Sequence, residues 1–206
     1  MLTQSSPVKR ALISLTDKTG AAELAKTLQD NFNVEILSTG GTAKILREAG
    51  VKVIDVSDYT GSPEILGGRV KTLHPKIVGG ILNIRGNAEH EADKEKNNIG
   101  NIDLVVCNLY EFEKTIAQPN ITVDEAIEAI DIGGVTLIRA SYKSFKDVAI
   151  VVSPADYPAL LNEMKNHDGA TSMEFRAKMA AKASELTAKY ELAIAEYFGK
   201  FIKIEN

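Results

Sequence analysis

The sequence predicts an α/β fold in three layers: a five-stranded, mainly parallel sheet flanked by helices, with one long helix at the C-terminal end. Three observations support this. Five short runs rich in Val, Ile and Leu are bounded by polar or turn-forming residues and alternate with segments of helical period. The runs are apolar on both faces, as strands are when helices cover both sides of a parallel sheet. From Thr171 to Phe198 neither Gly nor Pro interrupts a stripe of apolar residues three or four apart.

In chain order, the first strand is Ala11-Leu12-Ile13-Ser14-Leu15, which stops at the polar loop Thr16-Asp17-Lys18-Thr19-Gly20. Residues 21–30 then place Leu24 and Leu28 on one helical stripe among Ala, Lys and Glu. Val34 to Leu37 repeats the strand, Ser38 to Thr42 the loop, and Ala43 to Ala49 the helix, closed by Gly50 as a C-terminal cap. Val51 to Val56 is the third strand, and Tyr59 to Glu64 is rich in turn formers. Beyond Pro75, Ile77, Val78, Ile81 and Leu82 fall at helical spacing, and the charged run 87–98 predicts a solvated helix or lid with His90 exposed on it. Ile102 to Cys107 is the strongest buried-strand pattern, opening into Asn108-Leu109-Tyr110. Thr122, with Glu125 three residues later, is a capping-box signature, and the helix to Ile130 puts Val123, Ala126, Ile127 and Ile130 on one face. A helix over 135–143, a strand over 148–152 and a helix with Leu160, Leu161 and Met164 follow. The last helix aligns Phe175, Met179, Ala183, Leu186, Tyr190, Ile194 and Phe198, a packing stripe for neighbouring helices or a partner subunit.

A chain of 206 residues, 44% hydrophobic and 25% charged, is expected to bury its core as one domain over residues 1–206. Its net charge of -4 gives no bulk attraction to nucleic acid or to an anionic membrane, so any positive site must be local. No apolar run reaches the roughly 18 residues of a membrane span, and the stretch Met1 to Ser6 lacks the charged-then-apolar order of a signal peptide. A cytoplasmic protein is expected. The lone Cys107 excludes an internal disulfide, and three scattered histidines offer no zinc spacing, so no metal is expected.

In such a sheet, ligand-binding groups gather beyond the carboxyl ends of the strands. The loops 16–20, 39–42, 67–75 and 107–110 therefore share one rim. Gly67-Gly68-Arg69-Val70-Lys71-Thr72-Leu73-His74-Pro75 concentrates two cations, a hydroxyl and an imidazole. Arg69 offers a planar fork for phosphate or carboxylate, and Lys71 a compact charge for a developing oxyanion. Thr39-Gly40-Gly41-Thr42 opens a helix, where free N–H groups and the helix dipole favour phosphate. Each feature also has a plainer alternative: a solubilising surface turn for Arg69 and Lys71, a tight connection for the glycines, a surface pair for Asp17 and Lys18. Asp131, ahead of Ile132-Gly133-Gly134, suits either proton acceptance or capping of the next helix. Cys107 reads as a small buried hydrophobe rather than a nucleophile, and His74 as a loop-orienting residue. Tyr110 is either a phenol donor or a buried ring, and Lys143 either a working cation or a solvated one.

Asp17-Lys18-Thr19-Gly20, Thr39-Gly40-Gly41-Thr42-Ala43-Lys44, Gly67 through Pro75, Cys107-Asn108-Leu109-Tyr110 and Asp131-Ile132-Gly133-Gly134-Val135-Thr136-Leu137 are similar, in order and approximate spacing, to the motifs of one family. The sequence resembles, essentially end to end, the IMP cyclohydrolase domain of the bifunctional AICAR formyltransferase/IMP cyclohydrolase proteins. A homodimer is expected, and the resemblance implies a methylglyoxal-synthase-like fold. It also implies the dehydrative ring closure of 5-formamidoimidazole-4-carboxamide ribonucleotide to inosine monophosphate, with neither metal nor organic cofactor. Carried over by residue, it implies that Lys18 and the loop Thr39, Gly40, Gly41 and Thr42 hold the 5′-phosphate beside Thr16 and Asp17. Arg69, Val70, Thr72, Cys107, Asn108, Ile132, Gly133 and Gly134 would complete the substrate site, with Lys71, Tyr110, Asp131 and Lys143 as the catalytic group. Two positions depart from the family pattern: Glu111 stands where Pro is common and Ser144 where Asn is. Glu111 is expected to point outward. Larger members continue into a folate-using formyltransferase domain, and no such transfer is expected of these 206 residues. Two rival readings share the fold: a regulatory phosphate-binding module, and a methylglyoxal synthase.

Overall fold

The computed structural model describes residues 5–200. A short strand β1 (Ser5–Pro7) precedes β2 (Arg10–Ser14), whose Ala11, Leu12 and Ile13 are fully buried. Helix α1 (Ala21–Phe32) turns Leu24 and Leu28 into the core; β3 (Glu35–Ser38), α2 (Gly40–Glu48) and β4 (Val53–Asp55) repeat the unit. Val56, expected in a strand, instead starts α3 (Val56–Thr60), where its carbonyl accepts from Thr60 Oγ1 at 2.7 Å. A tight turn at Leu66–Gly68 and α4 (Pro75–Leu82) lead to α5 (Ala88–Asn97). Then come β5 (Leu104–Cys107), α6 (Phe112–Ile116), α7 (Val123–Glu128), α8 (Gly133–Lys143) and β6 (Ala149–Val151). The chain ends in α9 (Tyr157–Asn166), β7 (Ala170–Ser172) and the 27-residue α10 (Met173–Gly199).

The main sheet has the order β4-β3-β2-β5-β6, and every pairing is parallel. The chain steps outward from β2 to β4 and then returns past β2 to β5, so the strand order reverses between β2 and β5. A crevice beyond the carboxyl ends of that pair is where ligands bind in open α/β sheets. All five expected strands are present. The antiparallel β1–β7 pair has no sequence signal, because Ser5-Ser6-Pro7 and Ala170-Thr171-Ser172 carry no apolar alternation.

Local chemistry sets the helix ends. Thr122 and Glu125 form the expected capping box: Thr122 Oγ1 accepts from Glu125 N at 3.2 Å, and the Glu125 carboxylate accepts from Thr122 N at 2.9 Å. His74 Nδ1 accepts from Lys76 N at 3.1 Å and caps α4, an orienting role. His90, expected to be merely exposed, is half-buried and accepts from Ile84 N at 2.9 Å. The expected apolar face of α7 does not all reach the core: Ala126 is buried, whereas Val123 and Ile127 are 46% and 44% exposed. On α10, Phe175, Met179, Ala183, Tyr190 and Ile194 are buried as the stripe requires, while Phe198 is exposed. No helix among the described residues is long and apolar enough to cross a membrane.

Arg176 of α10 is fully buried. Its guanidinium donates to the carbonyls of Phe145 at 2.9 Å, Lys146 at 2.7 Å and Thr171, binding the turn after α8 to the start of α10. Burial pulls its pKa down, against the supporting charges of Asp147 and Glu163. Arg176→Met keeps the volume but strips those carbonyls, that of Thr171 among them buried, of their donor. It is expected to cost about 3 kcal/mol or more, read as a lower urea midpoint at an unchanged m value.

Candidate functional site

A cavity of about 870 Å³ opens beyond the carboxyl ends of β2, β3 and β5, within the range of pockets that enclose a small ligand. One wall is the start of α2. A Cβ added at Gly41 would meet Lys18 Cε at 3.7 Å, and one at Gly40 would meet Lys71 Nζ at 3.9 Å, so both lysines lie over this helix end. Two cations above free helix N–H groups make an anion site. Lys18 is steadied by donating to Thr16 O at 3.1 Å. The loop beneath is held by Asn108, whose Oδ1 accepts from the amides of Thr16 at 2.7 Å and Asp17 at 3.1 Å, while its Nδ2 donates to Asp17 O at 2.8 Å.

Several of the expected site residues also hold the main chain or one another. Asn108 spends its carboxamide on shaping the loop. Thr42 Oγ1 both accepts from Leu15 N and donates to Leu15 O at 3.0 Å, tying α2 to the end of β2. Thr39 donates to Glu64 Oε1 at 2.5 Å, a carboxylate on the next loop. Asp17 Oδ1 accepts from the amide and hydroxyl of Thr19, bonds that lower its pKa and turn it toward its own loop.

The opposite wall carries Asp131. Its Oδ1 accepts from Gly134 N at 2.6 Å, so it caps the start of α8. A Cβ at Gly134 would lie 2.5 Å from Asp131 Oδ2, and only glycine leaves room for the carboxylate there. Burial raises the Asp131 pKa, opposed by the amides of Gly134 and Tyr110 and by the charge of Lys71. A half-buried carboxylate that titrates above its usual range, facing an ammonium, is equipped to exchange protons. Cys107 is no nucleophile, because burial first and the Asp131 charge second push its thiol far up. At the mouth stand Tyr110 and Ile132, 47% and 59% exposed, and Arg69 in an ion pair with Glu128. That exposed pair raises the Arg69 pKa and lowers that of Glu128, yet surface pairs of this kind are weak and open readily to a ligand.

Of the residues singled out from sequence, Thr16, Lys18, Thr39, Gly41, Thr42, Arg69, Lys71, Thr72, Cys107, Asn108, Tyr110, Asp131, Ile132, Gly133 and Gly134 line the cavity. Asp17, Gly40, Val70 and Lys143 do not. Val70 instead closes its loop by pairing main chain with Ile65. Lys143 ends the 11-residue helix whose first residue, Gly133, lines the cavity. At 1.5 Å per residue the two are about 15 Å apart, beyond the reach of a lysine side chain. Glu111 reaches the rim rather than pointing clear of it, with its carboxylate held by Lys114. Glu128 and Glu64 had no sequence signal, because their partners Arg69 and Thr39 are remote along the chain. Among the described residues no group of three or more His, Cys, Asp or Glu is placed to hold a metal.

Comparison with known proteins fits this geometry. The bifunctional purine biosynthesis protein PurH of Neisseria meningitidis serogroup A is 58% identical over 190 residues, covering 92% of this chain. The protein of the same name from Gloeothece citriformis is 54% identical over 187 residues. The chain spans 36% of the length of each of these relatives. A crystal structure of ForH superposes with a TM-score of 0.83 at 32% identity, covering 93% of this chain and 97% of that one. Residues 141–206 match the family described as AICARFT/IMPCHase bienzyme. Residues 20–136, more than half of the sequence, match the MGS-like domain, and the chain belongs to that family.

Proposed function

We propose that this chain is an IMP cyclohydrolase, acting on 5-formamidoimidazole-4-carboxamide ribonucleotide. The observation that carries the proposal is the meeting, in one cavity, of an anion wall under Lys18 with Lys71, Tyr110 and Asp131. The names of the PurH relatives support the same reading. Lys18 and the start of α2 take the 5′-phosphate, which directs the base toward Asp131. The carboxamide nitrogen then attacks the formyl carbon within one molecule, and fixing that geometry accounts for about 7–11 kcal/mol in favourable intramolecular cases. Lys71 or the Tyr110 hydroxyl donates to the oxyanion, worth roughly 3–4 kcal/mol. Asp131 accepts a proton from the attacking nitrogen as the new C–N bond forms, and the oxyanion takes a proton from its donor to become a hydroxyl. Asp131 then returns its proton to that hydroxyl as the C–O bond breaks and water leaves, while the former formamide nitrogen gives its N–H proton back to the donor and forms the ring C=N bond.

Lys143 takes no part within one chain. We propose that it enters the cavity of a second copy in a homodimer, because no side-chain rotation spans the distance along α8. The proposal includes a single unit over residues 1–206, a cytoplasmic location and no nucleic-acid partner.

Incubation with the formylated nucleotide is expected to produce inosinate, followed by ultraviolet absorbance, in the presence of a chelator. Saturable binding without turnover would identify a regulatory module instead. Release of phosphate from dihydroxyacetone phosphate would identify a methylglyoxal synthase.

A further inference from the structure

We infer that Tyr190, on α10 and outside the cavity, is a positioning residue for the site: its hydroxyl fixes the main chain that carries Asp131, and its ring steadies the segment that carries Tyr110. The inference rests on the proposed function for its kinetic readout and on geometry for the rest.

Tyr190 is 8% exposed. Its hydroxyl accepts from Asp131 N at 2.7 Å and donates to Ala129 O at 3.4 Å, so one phenol bridges a donor and an acceptor in the link between α7 and α8. Main-chain groups partly withdrawn from water in an irregular link need such partners, and here a helix remote in sequence supplies them. The ring meets Phe112 edge-on at 6.2 Å and 67°. Phe112 is fully buried, and its amide donates to Tyr110 O at 2.9 Å. Tyr190 thus touches the elements that bring Asp131 and Tyr110 to the cavity, without lining the cavity itself. The groups acting on Asp131 are Lys71 from its loop, the Gly134 and Tyr110 amides, Cys107 from β5 and Tyr190 from α10. Glu191 and Tyr110 also act on the Tyr190 phenol, whose pKa burial raises.

Removing the hydroxyl leaves the burial of Asp131 in place but loosens its hold on the Gly134 and Tyr110 amides, which pull its pKa down. Tyr190→Phe retains the ring on Phe112. It is expected to raise the Asp131 pKa by about half a unit or more, read by carboxyl carbon NMR titration, and to speed exchange of the Asp131 amide at least about tenfold. Turnover is expected to fall about tenfold with KM within about twofold, since loss of alignment acts on the chemical step. Tyr190→Leu, which also loses the ring, is expected to fall further. A folded Tyr190→Phe protein with an unmoved Asp131 titration would overturn the inference, as would an unprotected Asp131 amide in the unmutated chain. If the unmutated chain closes no ring, the proposed function fails, while titration and exchange still decide the part played by Tyr190.

Discussion

Asp131→Asn is expected to lower kcat by about a hundred- to ten-thousandfold with little change in KM, the range for loss of a general acid–base group. The substitution is nearly isosteric. Its carbonyl oxygen can still accept from Gly134 N, so the start of α8 and the anion wall are retained. What disappears is the proton acceptor. The pH dependence follows from the sign of the shift. Burial raises the Asp131 pKa more than the Gly134 and Tyr110 amides and the Lys71 charge lower it. The carboxylate must be ionised to take a proton, so kcat/KM is full above that raised pKa. It falls about tenfold per pH unit below it. The acid limb is therefore expected above the ordinary carboxylate range, about pH 4, and Asp131→Asn should abolish it along with most of the rate. Full turnover in Asp131→Asn, or an acid limb that survives it, would remove Asp131 from the mechanism.

The sheet was legible because parallel strands buried on both faces need continuous apolar runs. Ala11 to Ile13 and Leu104 to Cys107 are such runs. The rim was legible because a parallel topology sends every strand's carboxyl end to one edge, so distant loops could be assigned to one cavity without knowing their shapes. What stayed hidden depended on pairing in space. Nothing near Asn108 marks it as the clamp of the 16–17 loop, nothing near Thr42 shows its hydroxyl to be spent on Leu15, and nothing near Tyr190 points to Asp131. Each of these contacts joins a polar side chain to the main chain of another element, where periodicity carries no information. The position of Lys143 stayed hidden for a different reason. Resemblance implies a role for it but no position, and α8 is long enough to carry it away from the cavity that its own first turn helps to line.

Lys71→Met should lose about a hundred- to a thousandfold in kcat, as enzymes do when a donor to a developing oxyanion is removed. Methionine keeps the apolar stem and removes the ammonium that lies over Gly40, so the loss is chiefly one of charge. The partition between constants separates two parts open to Lys71. As a donor to the oxyanion it acts in the transition state alone, and kcat falls with KM nearly unchanged. As a second phosphate ligand it would hold ground and transition states alike, and KM would rise instead. Lys18→Met is the contrast, expected to raise KM because Lys18 meets the start of α2 and its own loop rather than Asp131. The same variant tests the dimer. If Lys143 of one copy serves the cavity of the other, Lys71→Met and Lys143→Ala chains are each inactive alone. Mixed and allowed to exchange, they regain about a quarter of the unmutated activity per site. Half of randomly paired two-fold dimers are mixed, and one cavity in each mixed dimer has both lysines. No recovery on mixing, with exchange verified, would confine catalysis to the residues of a single chain.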